Sequence, residues 1–131
     1  MPRYLDPPTV PETGGRYSQG VLLAPYAKRL IISGQVGRSA DGALASGLEA
    51  QTAQAFDNLL AIVEAAGLTP RDIVKLTVFS AVPGGISIIR DIRSKKLEGV
   101  APASTYVEVA GLADPGYLVE IEGEAVREAA F

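Results

Sequence analysis

The most regular alternation of hydrophobic and polar positions lies near the end of the chain, over residues 119–125. Val, Ile, Gly and Ala take every second position, and Glu120, Glu122 and Glu124 lie between them. Because successive side chains of a β-strand point to opposite faces, one face of this strand is predicted to join a core and the other to be acidic. Two interpretations of the acidic face are open. It is either a solvated surface or a cleft wall, where burial and like charge raise the pKa of a glutamate toward that of a general acid or base.

Three of the strands predicted before this one are assigned to hairpins. Residues 101–109 are separated from the acidic strand by a segment rich in Gly, Asp and Pro, which predicts an antiparallel hairpin with a long turn. Residues 17–24 and 29–35 flank a short turn and predict a second hairpin. A continuous Leu-Ile-Ile run at residues 30–32 favours a strand buried on both faces.

A helical spacing of apolar positions follows between residues 46 and 67. Ser46 is predicted to cap its N-terminus, and Gly67 is predicted to cap its C-terminus in the left-handed conformation. Residues 72–79 then alternate as a strand, so that strand, helix and strand form a crossover. The positions expected to face inward are Leu48, Thr52, Ala55, Phe56, Leu59, Ile62, Val63 and Ala66.

A second helix is predicted over residues 86–98, with Ile88, Ile89, Ile92 and Leu97 inward. Its basic residues allow two interpretations, a solvated face or a surface that binds anions or nucleic acid. Residues 1–16 are rich in Pro and Gly and predict an extended arm with a short strand at residues 3–5. The elements together predict one domain over residues 1–131, with two helices on one side of a sheet. The basic residues of the second helix are Arg90, Arg93, Lys95 and Lys96.

Composition narrows the classes of function. The chain is 47% hydrophobic, yet no apolar run approaches the roughly 20 residues that span a bilayer. The N-terminal residues lack the apolar segment of a secretion signal, so a cytoplasmic protein without membrane contact is expected. Cysteine and histidine are absent, which excludes thiolate nucleophiles, Cys/His zinc sites and imidazole catalysis. A net charge of −3 argues against a nucleic-acid partner and favours a small-molecule ligand.

Several short motifs, in this order and spacing, resemble the RidA/YjgF family. Singly each is weak, and jointly they are specific. They are Tyr-Ser-Gln-Gly at residues 17–20, Ile-Ser-Gly-Gln at 32–35, Gln-Ala-Phe-Asp-Asn-Leu-Leu at 54–60, Glu-Ala-Ala-Gly at 64–67, Asp-Ile-Val-Lys at 72–75 and Val-Glu-Ile-Glu at 119–122.

The resemblance implies an α+β, chorismate-mutase-like fold with a mixed sheet, assembled as a homotrimer with ligand clefts between subunits. It also implies hydrolysis of reactive enamines and imines, such as 2-aminoacrylate and its imine, to 2-keto acids and ammonia. Glu120 matches the glutamate that positions or activates water, Tyr17 matches a cleft tyrosine, and Gly34 lies in the strand-end motif. No metal or organic cofactor is implied.

One departure from the family concerns the start of the penultimate strand. Members of the family that act on amino-acid-derived imines have arginine in a Pro-Ala-Arg segment, where the guanidinium binds the substrate carboxylate. Ser104 occupies that position here and offers a hydroxyl without charge. Arg16 and Arg38 are the candidates for a replacement cation.

Two functions are therefore compatible with the sequence. The first is an imine or enamine deaminase in which Glu120 and Tyr17 are catalytic, while Ser104, Gly34, Arg38 and Arg16 bind the substrate. The second is a trimer that binds a small metabolite, or regulates through it, without catalysis. RNA cleavage is the least supported function, because the charge is negative and histidine is absent.

Overall fold

The structure is a computed structural model that describes residues 3–9, 14, 15 and 17–129. These residues form an α+β fold in which a four-stranded mixed sheet carries two α-helices on one face. No helix among them is long and apolar enough to cross a membrane. The elements are β1 (Arg3–Leu5), β2 (Gly20–Leu22), β3 (Tyr26–Gln35), α1 (Leu48–Ala65), a 3₁₀ turn (Pro70–Asp72), β4 (Ile73–Ser80), α2 (Ile86–Lys96), β5 (Ala103–Glu108) and β6 (Val119–Glu128).

The strand order of the main sheet is β3-β6-β4-β5. Strand β6 runs antiparallel to both β3 and β4, and β4 pairs with β5 in parallel. The predicted hairpin between residues 101–109 and the acidic strand is therefore wrong, because β6 inserts between β3 and β4. The inner-face residues Val119, Ile121 and Ala125 of β6 are fully inaccessible, and a central position in the sheet provides such cover.

The other predicted hairpin is also wrong. Strand β2 pairs with β1, and these two strands form a separate two-stranded sheet. Strand β3 instead lies at the edge of the main sheet and does not have two buried faces. Its Ile32 is 3% exposed and joins the core, whereas the neighbouring Ile31 is 61% exposed on the other face. The predicted crossover is confirmed, because β3 and β4 are both antiparallel to β6 and α1 connects them.

Helix α1 provides much of the core, as its spacing predicts. Phe56, Leu59 and Val63 are buried in a cluster with side chains of β4 and β6. The helix ends as predicted: Gly67 has φ +73°, its amide donates to Glu64, and the next amide donates to Val63, which is a Schellman cap. The N-terminal prediction is wrong, because the cap residue is Gly47 rather than Ser46 and no side chain caps the helix.

Helix α2 lies beside α1 with Ile89, Ile92 and Leu97 buried. Ile88 is 44% exposed, so its predicted inward position is wrong. One residue corresponds to a rotation of about 100° around a helix, which moves Ile88 away from the face centred on Ile89.

Candidate functional site

A cavity lies between α2 and the strands β4 and β5. Its volume is about 480 Å³. Val78 of β4 and Ile89 of α2 provide apolar wall, and Tyr106 of β5, the register partner of Val78, lies beside them. Because side chains two apart on a strand share a face, Ser104 lines the same cavity as Tyr106. The polar and basic lining residues are Tyr17, Gln19, Arg90, Arg93 and Ser104.

The segment around Ser18 brings Tyr17 to this cavity. The Ser18 amide donates to the Pro102 carbonyl at 3.1 Å, and the Ser18 hydroxyl donates to the Ala101 carbonyl at 2.6 Å. Ser18 is itself 4% exposed, so these hydrogen bonds are shielded from water. They hold Tyr17 beside the start of β5, so Tyr17, predicted to be catalytic, and Ser104, predicted to bind substrate, line one cavity.

Ser104 has a basic neighbour that the sequence did not reveal. The Arg93 Nη1 donates a hydrogen bond of 3.0 Å to the Ser104 Oγ. Arg90 lies three residues earlier on α2, and both arginines line the cavity. Their spacing was visible in the sequence, but only the packing of α2 against the sheet directs them toward β5. Sequence reasoning also missed Gln19 and Tyr106, and the alternation of β5 could have found Tyr106.

Glu120 and Gly34 lie together at a different place. A Cβ atom added to Gly34 would lie 2.6 Å from the Glu120 Oε1. The carboxylate therefore rests directly over the glycine, next to the irregularity in pairing between Ile32 and Gln35 of β3. The absence of a side chain at Gly34 makes room for the side chain of Glu120.

The strand register separates this pair from the cavity. Glu120 is the partner of Phe79, and Ser104 is the partner of Leu76. Phe79 and Leu76 are three residues apart on β4, so their side chains point to opposite faces of the sheet. Leu76 is buried beneath the helices. Ser104 and Tyr17 thus lie on the helix-covered side, whereas Glu120 and Gly34 lie on the open side.

Arg38, one of the two candidate replacement cations, does not line the cavity. The Arg38 Nε donates to the Tyr117 hydroxyl at 2.8 Å, and the guanidinium carbon lies 5.1 Å from the centre of that ring. Its other hydrogen bond, to the Gly42 carbonyl, closes the loop before α1. Arg38 therefore stabilises the loop before α1 in this structure. Arg16 lies outside the described residues.

The other acidic residues of β6 have separate environments. Glu124 forms an ion pair with Arg29 at 3.2 Å, and Glu122 is exposed. The solvated interpretation therefore applies to Glu122 in the single chain. No group of three or more acidic side chains within the described residues is placed to hold a metal ion.

Comparisons with known proteins agree with one another. The sequence model of the family described as Endoribonuclease L-PSP matches residues 8–127. A 2-iminobutanoate/2-iminopropanoate deaminase from Salmonella typhimurium is 38% identical over 121 residues, which cover 89% of this chain and 91% of the relative. A protein of the same description from Bos taurus is 37% identical over 119 residues, covering 89% and 84% of the two chains.

Solved structures share the fold. YyfB, a Rid-family protein of unknown function from Yersinia pestis, superposes with a TM-score of 0.85 at 34% identity and covers 95% of this chain and 98% of its own. RidA from the Antarctic bacterium Psychrobacter sp. gives a TM-score of 0.72 at 32% identity, with 95% and 98% coverage.

Proposed function

The chain belongs to the Endoribonuclease L-PSP family, which is the RidA/YjgF family, and from this premise we propose that it is a cytoplasmic imine deaminase. It hydrolyses small enamines and imines to keto acids and ammonia. The observation that carries the proposal is the 38% identity, across 121 residues, to a 2-iminobutanoate/2-iminopropanoate deaminase.

The chemistry needs a positioned water and a group that accepts its proton. In the proposed mechanism the Glu120 carboxylate holds a water and takes up its proton as the oxygen adds to the imine carbon. The imine nitrogen takes the C=N electron pair and the proton held by Glu120, which gives a carbinolamine. The hydroxyl proton of the carbinolamine then passes to nitrogen as the C–N bond breaks, so ammonia leaves and the keto product remains. Tyr17 orients the substrate so that its reacting carbon faces the water.

A homotrimer with a cleft between subunits supplies what one chain lacks. Tyr17 and Glu120 lie on opposite sides of the sheet, so a site that uses both draws them from neighbouring copies. The open face of the sheet also carries apolar side chains in need of cover, with Ile31 61% and Val107 36% exposed. Light scattering is expected to give three times the mass of one chain. A monomer would overturn both the trimer and the shared site.

The activity is tested by trapping. An amino-acid oxidase generates the imino acid, semicarbazide traps it, and an active deaminase lowers the yield of trapped product. Glu120→Gln keeps the shape of the side chain and removes its charge, so at least about a hundredfold loss of kcat/KM is expected. Glu122→Gln is the matched control, because Glu122 is exposed two residues along the same face. Equal activity of wild type and Glu120→Gln would refute the role of Glu120.

Ser104 motivates a second candidate, a trimer that binds a metabolite without catalysis. A serine supplies no charge at the position where the deaminases of the family are expected to have arginine. This candidate predicts that a ligand raises the thermal midpoint by mass action while trapping assays show no turnover. A metabolite screen without any shift would weigh against it. RNA cleavage has less support, since the chain has a net charge of −3 and no histidine.

A further inference from the structure

The basic residues of α2 do not form one uniform surface. Lys96 is paired with Asp57 of α1 at 2.8 Å, and Lys95 is exposed. Arg90 and Arg93 instead line the cavity between α2 and β5 and are only partly exposed. The helix thus directs the Arg93 guanidinium at Ser104, and Arg90 lines the same cavity.

We propose that Arg90 and Arg93 bind the carboxylate of the substrate in this cavity. They take the role that an arginine on β5 has in other members of the family, at the position occupied here by Ser104. The inference rests on the proposed deaminase function and concerns which residues of this chain hold the substrate carboxylate. It also places two specificity-determining residues on α2, whereas the family resemblance implies a carboxylate-binding residue on β5.

The contact between Arg93 and Ser104 carries this assignment. The guanidinium lies 3.0 Å from the hydroxyl oxygen that stands at the arginine position. A guanidinium presents its donors in a planar fork that matches the geometry of a carboxylate, and the Arg93 fork lies against Ser104 at the cavity wall. Because the serine oxygen accepts from Arg93, the hydroxyl hydrogen is left to donate to the same carboxylate.

The surroundings favour an anion of small-molecule size. A cavity of about 480 Å³ lies within the usual range of ligand sites, roughly 300–1,000 Å³. Val78 and Ile89 on its wall reduce the local dielectric constant, which strengthens an ion pair. Tyr106 donates its hydroxyl to Glu108 at 3.0 Å, so it presents its ring rather than a charge to the ligand.

Binding is tested apart from turnover with 2-oxobutanoate, a keto acid that carries the carboxylate but no imine. Isothermal titration compares wild type with Arg90→Gln, Arg93→Gln and the double variant. The matched control is Lys95→Gln, which removes the same charge from an exposed position of the same helix. Glutamine preserves helix propensity, and thermal midpoints verify that each variant is folded.

Loss of charge-assisted hydrogen bonds is expected to weaken 2-oxobutanoate binding about tenfold to a hundredfold in the double variant. Lys95→Gln is expected to bind as wild type does. Arg93→Lys, which keeps the charge and loses the fork, should lie between them. The uncharged methyl ester of the keto acid should not distinguish wild type from the double variant.

Exchanging the residues at positions 93 and 104 provides a second test. Ser104→Arg alone places two guanidinium groups in contact, and Arg93→Ser alone removes the cation. The combined variant Arg93→Ser/Ser104→Arg returns the guanidinium to β5 and is expected to recover binding that Arg93→Ser loses.

Two binding results would overturn the inference: no binding of 2-oxobutanoate to wild type at about 10 mM, or equal affinity of the double variant and Lys95→Gln. Failure of the proposed function is a separate outcome. It would appear as arginine-dependent binding without imine hydrolysis, whereas hydrolysis that persists unchanged in the double variant would refute the inference alone.

Discussion

A single methyl group at Gly34 is expected to disable the site without unfolding the protein. The Cβ of alanine would lie 2.6 Å from the Oε1, 2.7 Å from the Cδ and 2.9 Å from the Cγ of Glu120. Ordinary contacts between such atoms are about 3.5 Å, so the carboxylate must move by about 1 Å. A displacement of that size at a reacting group can lower the rate about a hundredfold, which is the loss of kcat/KM expected for Gly34→Ala.

The fold is expected to tolerate this change. The atoms that the methyl group meets belong to the end of a flexible side chain, and Gly34 does not have a positive φ. Alanine gains about 0.4–1 kcal/mol from the unfolded chain, and a displaced rotamer of Glu120 costs about 0.5–1.5 kcal/mol. The free energy of unfolding, measured with urea, should therefore change by less than about 1 kcal/mol.

A double-mutant cycle shows whether the methyl group acts through Glu120. Trapping assays give kcat/KM for wild type, Gly34→Ala, Glu120→Gln and the double variant. If the glycine matters only because it makes room for the glutamate, the double variant loses no more activity than Glu120→Gln. Wild-type activity of Gly34→Ala would refute this reasoning. So would a double variant whose loss of kcat/KM equals the product of the losses in the two single variants.

Three further changes test the fold. Gly123→Ala places a Cβ atom 2.7 Å from the Lys75 carbonyl oxygen, which is backbone and cannot move aside, so urea unfolding should show a loss of about 1–3 kcal/mol. Gly67→Ala introduces a side chain at φ +73° and is expected to cost about 1–2 kcal/mol in the same measurement. Asp72→Asn tests pH dependence: burial raises the pKa of Asp72, but hydrogen bonds from Thr69 and Arg127 outweigh burial and hold that pKa below its usual value. The ionised carboxylate therefore stabilises the fold above about pH 4 and loses this contribution as the pH falls further, so the variant should show a smaller decline in stability on acidification.

Local sequence patterns were sufficient to predict several elements of secondary structure. The helical spacing of α1, its glycine cap and the alternation along β6 are confirmed, because each depends on residues close together in the chain. The two predicted hairpins are wrong for the opposite reason. Strands that are consecutive in the chain usually pair. The sequence of residues 101–126 contains no signal that β6 pairs instead with β3 and β4.

Local sequence patterns also do not predict which distant residues meet at the candidate site. Apolar periodicity places Ile89 and Ile92 inward on α2, but it does not tell which strand the flanking arginines reach. That information resides in the contact of Arg93 with Ser104, between elements joined by a connection of a few residues only. The serine was recognisable in the sequence as a missing charge, and its new partner was not.

The insertion of β6 has a consequence for where the chemistry can occur. It places Glu120 opposite Phe79 on the open face, while β5 directs Ser104 and α2 directs Arg93 to the helix-covered side. A keto-acid ligand held by the arginines is thus separated from Glu120 of its own chain by the thickness of the sheet. In the proposed mechanism, carboxylate binding needs only one chain, whereas hydrolysis needs Glu120 from a neighbouring copy. Dilution that dissociates the proposed trimer is therefore expected to abolish imine hydrolysis, and retention of 2-oxobutanoate binding under the same conditions distinguishes this arrangement from a site built wholly at the subunit interface.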